Sequence, residues 1–94
     1  MPTGMRFEWD PEKAKRNFVK HGVSFEEGMS AFDDPLSLTI FDPDHSREED
    51  RFLLLGASRD GHLVAVAHTF RDEAVRIISV RLATRSERRD HASH

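Results

Sequence analysis

The chain has 94 residues, of which 37% are hydrophobic and 33% are charged, and it contains no cysteine. This length supports one compact core, and the composition argues against intrinsic disorder. The absence of cysteine excludes disulfide scaffolds and cysteine-ligated zinc sites, and no segment approaches the ~20 apolar residues of a membrane span. We therefore expect a single domain over residues 1–94, without a membrane segment, and a cytoplasmic location because the N-terminus lacks the apolar core of a signal peptide.

Charge is unevenly divided along the chain, whose formal net charge is −3. Residues 1–50 carry 6 Lys and Arg against 12 Asp and Glu, whereas residues 51–94 carry 8 against 5, and all eight of these cations are arginine. The planar fork of arginine binds phosphate or carboxylate through two hydrogen bonds. The second half is therefore predicted to bind anions, with plain surface solvation as the alternative.

A first helix is predicted directly after Asp10, which can cap its N-terminus. Gly22 provides the left-handed residue that ends such a helix. The pattern predicts a narrow apolar face made of Ala14, Phe18 and Val19.

A second helix is indicated by a capping box, in which Ser24 caps the helix and Glu27 bonds back to the backbone of Ser24. Pro35 is expected to end this helix. Its apolar face consists of Phe25, Met29 and Phe32.

The rest of the chain predicts a sheet and a final helix. The predicted strands cover residues 36–41, 51–58, 62–70 and 75–80. The first of them is expected at a sheet edge, and Asp60 with Gly61 predicts a hairpin between the second and third. Residues 82–94 predict a C-terminal helix. Because the central strands are apolar at consecutive positions, both faces of the sheet should be covered, the second in part by a partner chain.

Several segments together resemble the BrnT family of ribonuclease toxins, which are encoded beside the BrnA antitoxin. They are FEWDPEKAKRNFVKHGVSFEEG, FDD, GASRDGHLVAVAHTFRDEAVRIISVRLAT and SERR, and the resemblance runs from Phe7 to about Asp90. It implies a RelE-like α+β fold, with two N-terminal helices packed on an antiparallel sheet of about four strands and a C-terminal helix. It also implies an endoribonuclease that cleaves RNA without a metal or other cofactor and so inhibits translation and growth.

The resemblance also implies partners. They are an RNA substrate and a cognate BrnA-like antitoxin with a ribbon-helix-helix domain, through which alone the chain would reach operator DNA. Two positions depart from the family pattern: Gly28 stands where alanine is usual, and His91 where many members have tyrosine. The second departure motivates an alternative, a catalytically inactive homologue that serves as a binding module for its antitoxin and operator complex.

RNA cleavage without a metal requires a base for the 2′-hydroxyl proton, cations for the phosphorane and an acid for the leaving 5′-oxygen. Arg71 at the hairpin turn and Arg81 at the exit of the last strand are the candidate catalytic cations, because arginine stays charged at any physiological pH and directs two donors toward two phosphate oxygens. The candidate RNA-binding arginines are Arg59, Arg76 and Arg88. Arg76 and Arg81 are an odd number of residues apart, so they should face opposite sides of the sheet unless a bulge intervenes.

Candidates for base and acid are Lys20, His21 and Glu26, where the first helix ends and the second begins. The alternative is structural, because cations and a carbonyl-bonded histidine also stabilise the C-terminus of a helix. His68 on a predicted strand either lines an RNA groove or makes a structural hydrogen bond within the sheet.

Two histidine groups are candidate metal ligands. One joins His45 to Asp42 and Asp44, and the other joins His91 to His94. Neither has the four-ligand spacing of a structural zinc site, so no metal is expected.

Overall fold

The computed structural model describes residues 5–45 and 47–93. Within these residues the chain forms an α+β fold, and the predicted helices and strands are confirmed. The elements are β1 (Arg6–Glu8), α1 (Pro11–His21), α2 (Phe25–Ser30), β2 (Leu38–Phe41), β3 (Phe52–Ala57), β4 (Leu63–Arg71), β5 (Ala74–Leu82) and α3 (Arg85–Ser93). Short 3₁₀ turns follow α2 and β2. No helix of the described chain is long and apolar enough to cross a bilayer.

The described strands form one sheet in the order β1-β5-β4-β3-β2. β2, β3, β4 and β5 pair in antiparallel fashion, whereas β1 is parallel to β5. The prediction of about four strands omitted β1, because three residues ahead of a helix cap are too short to show an alternating pattern. β2 lies at an edge of the sheet, as predicted.

Both N-terminal helices lie on one face of the sheet, where they enclose the core. This face is filled by aliphatic side chains from β3, β4 and β5 together with Val23 and Phe25, and Trp9 packs edge-on against Phe25 at 5.8 Å between ring centroids. The other face is partly covered by α3, which packs against β3. Leu55 and Ala65, paired side by side on that second face, are fully buried. Among the described residues, no helix covers the remainder of the second face.

A β-bulge in β5 changes the direction of its side chains. Ala67 pairs with Ser79 but the next residue, His68, pairs with Ile77, so Ile78 is the extra residue of β5. On one side of the bulge Val75 and Ile77 point into the core, and on the other side Val80 does. Their neighbours Arg76 and Arg81 therefore share the opposite face, which corrects the expectation from simple alternation.

The inward face of α1 differs from the predicted one. Phe18 and Val19 are 55% and 87% exposed, and the buried residue of this helix is Asn17. Its side-chain amide donates to the carbonyl oxygens of Val23 and Val80 and accepts from the amide of Val80. The side chain of Asn17 thus satisfies the backbone amide and carbonyl of Val80 on β5. The helix is therefore rotated so that Asn17, rather than Phe18 or Val19, faces the sheet.

The capping box of α2 is half confirmed. Ser24 accepts a hydrogen bond from the amide of Glu27 at 3.0 Å, as predicted. The carboxylate of Glu27 does not return to Ser24, however, but accepts from Ser58 Oγ and contacts His62 Nδ1 on the β3–β4 hairpin. That part of the prediction is wrong because a buried hydroxyl and an imidazole compete for the carboxylate.

The two hairpin turns use different backbone geometry. The hairpin predicted at Asp60 and Gly61 is present, but only Gly61 has a positive φ, 85°; Asp60 is not in the left-handed region, so this is not the tight turn in which both residues take positive φ. In the β4–β5 turn it is Asp72 and Glu73 that take positive φ, 50° and 66°. This two-residue turn matches the twist of the flanking strands and holds Arg71 opposite Ala74.

Gly28 lies where α2 packs tightly against the sheet. A Cβ atom at this position would lie 2.5 Å from Val80 Cγ2 and 3.4 Å from Val66 Cγ2, and both valines are fully buried. The glycine that departs from the family pattern therefore permits tight packing of helix on sheet.

We expect Gly28→Ala to lower the free energy of unfolding by about 1–3 kcal/mol, because overpacking outweighs the ~1 kcal/mol gain in helix propensity. Chemical denaturation would measure this change. In a Val80→Ala background the same Gly28→Ala change should cost less than in the wild type, because the methyl groups in conflict are absent. A single variant as stable as the wild type would contradict the packing argument.

Candidate functional site

The uncovered part of the second sheet face is a groove between the sheet and the 42–51 loop. It consists of two adjoining depressions of about 480 and 320 Å³ that share His45, Arg51 and Ile78. We call it the arginine groove. It is lined by Lys13, Asp42, His45, Arg47, Glu48, Glu49, Arg51, Leu53, Ala67, Arg71, Arg76, Ile78, Ser79 and Arg81.

The charge of the arginine groove is opposite to that of the whole chain. Six Lys or Arg and three Asp or Glu line it, although the chain has a net charge of −3. Its floor is apolar, formed by Leu53, Ala67 and Ile78. A groove with cationic walls and an apolar floor suits a single-stranded nucleic acid, whose phosphates meet the cations while its bases lie on apolar surface.

Arg76 reaches the groove from the middle of β5. Its Nη1 donates to Glu8 Oε2 at 2.8 Å, and the arginine side chain is 27% exposed. Glu8 stands beside it on β1, and its side chain is 37% exposed. Since a guanidinium carries five donors, Arg76 keeps others for a phosphate while Glu8 holds one.

The guanidinium group of Arg81 forms hydrogen bonds within the protein. Its Nη1 and Nη2 donate to the two carboxylate oxygens of Glu87 at 2.7 and 2.9 Å. Glu87 also accepts from the amide of Thr84, whose hydroxyl accepts from the amide of Glu87, so these two residues form a complete capping box for α3. This capping box was not predicted from the sequence. The pair fastens α3 to the end of β5.

The hydrogen bonds from Arg81 are the main cause that lowers the pKa of Glu87 to about 2; partial burial opposes them and the amide of Thr84 adds to them. Because this pKa lies below its ordinary value of 4.5, the stabilisation is present above about pH 4.5 and is lost as the pH falls towards 2.

We expect Glu87→Gln to destabilise the protein by about 1–2 kcal/mol at pH 7, after allowing for solvent screening of the half-buried partner. The difference from the wild type should shrink as the pH falls from 4.5 towards 2. Urea unfolding across this pH range would measure it. Glu12→Gln is the matched control, because Glu12 occupies the first turn of α1 as Glu87 does that of α3, and it should cost only about 0.5 kcal/mol.

The other predicted arginines lie at different distances from the groove. Arg71 lines it and is 52% exposed, with Glu49 3.7 Å away. Arg59 lies on the β3–β4 hairpin in a separate depression beside Asp34, and Arg88 is exposed on α3. The structure therefore brings together Arg71, Arg76 and Arg81 but not the remaining two.

Lys20, His21 and Glu26 are not in the groove. They belong to α1 and α2, which cover the opposite face of the sheet. Lys20 and Glu26 are exposed, and His21 is half-buried at the last position of α1. Lys13, which had no assigned role, is the residue of α1 that reaches the groove.

His68 is fully buried in the core side of the sheet. Its ring lies among Phe32, Phe52 and Phe70, and Nδ1 donates to the carbonyl oxygen of Val66 at 3.1 Å. Burial lowers the pKa of His68, although the bond to Val66 opposes this, so the ring is neutral at physiological pH. This position favours the structural alternative for His68 over contact with RNA.

His91 is tied to the core rather than to the groove. Its Nε2 lies 3.0 Å from Asp34 Oδ2, which also accepts from the amide of Ala57. Burial acts to raise the pKa of Asp34, but hydrogen bonds from Ala57, Leu36 and His91 outweigh it and lower the pKa. His94, the predicted companion of His91, lies outside the described residues.

His45 lines both halves of the arginine groove. Its Nδ1 lies 2.8 Å from Asp42 Oδ2. Within residues 5–45 and 47–93, no group of three or more His, Asp or Glu side chains is placed to hold a metal ion. From the sequence His45 was a candidate only for metal binding, because a loop residue shows no periodicity that would predict a shared groove with β5.

Comparison with known proteins gives a consistent result. The family model described as ribonuclease toxin, BrnT, of type II toxin-antitoxin system matches residues 9–87. The 1.1 Å crystal structure of the ribonuclease toxin BrnT from Brucella abortus is similar, with 26% sequence identity and a TM-score of 0.57 over 86% of this chain and 99% of that one. No curated protein sequence matches. The chain thus belongs to the BrnT family of ribonuclease toxins of type II toxin-antitoxin systems.

Proposed function

We propose that this chain is an endoribonuclease toxin that cleaves RNA in the arginine groove without a metal ion and thereby inhibits translation and growth. The observation that carries the proposal is the cluster of cations on the open face of β5, which the bulge at Ile78 brings to one side. Arginine stays charged at any physiological pH and can stabilise the phosphorane through paired donors.

Within the groove, Arg71 and Arg76 are proposed as the phosphate ligands. Arg71 is half exposed and its nearest carboxylate is 3.7 Å away, while Arg76 keeps donors beyond its bond to Glu8. Exposed ion pairs of this kind contribute only about 0–1 kcal/mol, so a phosphodiester can displace them. Arg81 adds positive charge and holds α3, and Arg59 and Arg88 are proposed to contact more distant phosphates.

The reaction proposed is attack of the 2′-oxygen on the adjacent phosphorus, which leaves a 2′,3′-cyclic phosphate and a free 5′-hydroxyl. Purified protein should therefore cleave single-stranded RNA in the presence of EDTA, and mass spectrometry should identify the cyclic end. RNA with a single 2′-deoxy substitution at the cleavage site should resist. An absence of cleavage of naked and ribosome-bound RNA, together with normal growth on expression, would refute the proposal.

Membership in a type II toxin family implies a cognate antitoxin. We propose a BrnA-like antitoxin with a ribbon-helix-helix domain, through which alone the complex contacts operator DNA. Co-expression of the candidate antitoxin should restore growth, and the purified pair should retard operator DNA that the toxin alone does not bind.

The pairing of Arg76 with Glu8 and of Arg81 with Glu87 favours a second candidate, an inactive homologue that serves as a binding module. Such a module would change the operator affinity of the antitoxin and leave RNA intact. The cleavage assay in EDTA, repeated with the ribosome present, distinguishes it from the toxin.

A further inference from the structure

The arginine groove contains a histidine to which the proposed function assigns no role. We propose that His45 is the general base that removes the 2′-hydroxyl proton, and that Asp42 positions it. This inference rests on the proposed function and names the proton acceptor of the same site.

The turn around His45 fixes the orientation of its ring. The 3₁₀ turn Pro43–His45 folds the side chain back onto Asp42, with 2.8 Å between Nδ1 and Oδ2. The amide of Asp42 in turn donates to the carbonyl oxygen of Arg51 at 2.8 Å, which fastens the start of the loop to the strand that follows. Asp42 is thus held by its backbone while its carboxylate holds the imidazole.

The bond to Asp42 also fixes the tautomer of His45. An ionised carboxylate can only accept a hydrogen bond, so the proton of the neutral ring must be on Nδ1. Nε2 then carries a lone pair and is the nitrogen that remains for substrate. With Asp42 bonded to Nδ1 and Nε2 facing the substrate, the pair would act like the histidine base and orienting aspartate of serine hydrolases, in which the aspartate stabilises the imidazolium as it forms.

His45 lines the same groove as the proposed phosphate ligands Arg71 and Arg76. His45 lines both depressions of the groove, together with Arg51 in both, Arg76 in the first and Arg81 in the second. Among the described residues that line the groove it is the only histidine. Its side chain is 67% exposed, so an RNA strand lying in the groove can reach it.

In the proposed step Nε2 takes the proton of the 2′-hydroxyl as the 2′-oxygen bonds to phosphorus. The bond between phosphorus and the 5′-oxygen breaks, and the 5′-oxygen takes a proton from water of the open groove. The imidazolium, balanced by Asp42, then releases its proton to solvent. No oxidation or reduction occurs.

The competing explanation is that the bond between Asp42 and His45 only closes a surface turn. The two explanations differ for His45→Gln and His45→Ala in a single-turnover assay with a short fluorescent RNA in EDTA. We expect His45→Gln to slow cleavage about 10²-fold with RNA affinity unchanged. Added imidazole should restore part of the activity of His45→Ala, because a small base can occupy the space of the lost ring.

Two further variants complete the experiment. Asp42→Asn keeps an acceptor for Nδ1 but not the negative charge, so it should lower the cleavage rate about tenfold without weakening RNA binding. His62→Gln is the matched control, since His62 is also an exposed histidine paired with a carboxylate, that of Glu27, but lies on the β3–β4 hairpin outside the groove. It should cut RNA at the wild-type rate.

The outcomes separate this inference from the proposed function. A His45→Gln protein that is folded and cuts RNA within about threefold of the wild-type rate overturns the inference while leaving the toxin intact. Lack of imidazole rescue together with a large loss of RNA affinity would make His45 a binding residue and also overturn it. If the wild type itself cuts no RNA, the proposed function fails first and the inference fails with it.

Discussion

Arg76→Ala should slow RNA cleavage by about 10²-fold, because it removes a preorganised cation from the charge that develops on the phosphorane. Arg76 is the arginine of β5 that combines a position in the groove with donors left over after its internal pairing. Arg81, by contrast, donates both Nη1 and Nη2 to the carboxylate of Glu87. Single-turnover cleavage of a short RNA in EDTA, with affinity measured separately, would give the effect on chemistry.

Two controls separate catalysis by Arg76 from a structural role. Glu8→Gln keeps an acceptor for Arg76 but removes the negative charge, so it should leave cleavage unchanged or raise it if Arg76 binds phosphate. If the pair instead holds β1 in place, Glu8→Gln and Arg76→Ala should lower Tm and activity in parallel. Arg16→Ala removes the same charge from the exposed face of α1 and should be nearly neutral.

Loss of activity confined to Arg81→Ala, with Arg76→Ala fully active, would place the critical cation at the other end of the groove. In that case α3 would have to release Arg81 before RNA binds, and Glu87→Gln would increase cleavage. The present assignment predicts that Glu87→Gln acts mainly on stability.

Local signals in the sequence were sufficient for most of the fold. The cap at Asp10, the left-handed stop at Gly22 and the turn at Gly61 each depend on one or two neighbouring residues, and each is present. Runs of consecutive apolar residues indicated the long strands for the same reason. β1 is the exception, since its three residues gain their strand identity only from pairing with β5.

The candidate site depends on pairings between residues far apart in sequence, and there the predictions were weaker. The bulge at Ile78 follows from the register of β4 against β5, and it decides which arginines share a face. Glu27 and Glu87 look alike as acidic residues of a first helical turn, yet one bonds a hairpin and the other an arginine. No pattern within one segment contains that information.

The role of Asn17 is the clearest case that one segment of sequence cannot predict, because a polar residue on a short helix is ordinarily solvated. Here it is 8% exposed and makes three hydrogen bonds, two of them to the backbone of Val80. β1 pairs with β5 only from Ala74 to Arg76, so the edge of β5 beyond it is left to α1. The amide of Asn17 takes the place of a neighbouring strand at this edge.

Asn17→Ala should therefore lower the free energy of unfolding by about 3–5 kcal/mol, since it leaves the amide and carbonyl of Val80 and the carbonyl of Val23 without their partner in a buried place. For a domain of this size that is a fall in Tm of at least 12 °C, at about 4–8 °C per kcal/mol.

Asn17→Asp should also be strongly destabilising, because a carboxylate would face two carbonyl oxygens. Lys15→Ala, on the exposed side of the same helix, should change stability by less than about 0.5 kcal/mol. Thermal denaturation of the three variants tests the argument, and a Tm for Asn17→Ala within a few degrees of the wild type would show that solvent or a shifted helix satisfies the edge of β5 instead.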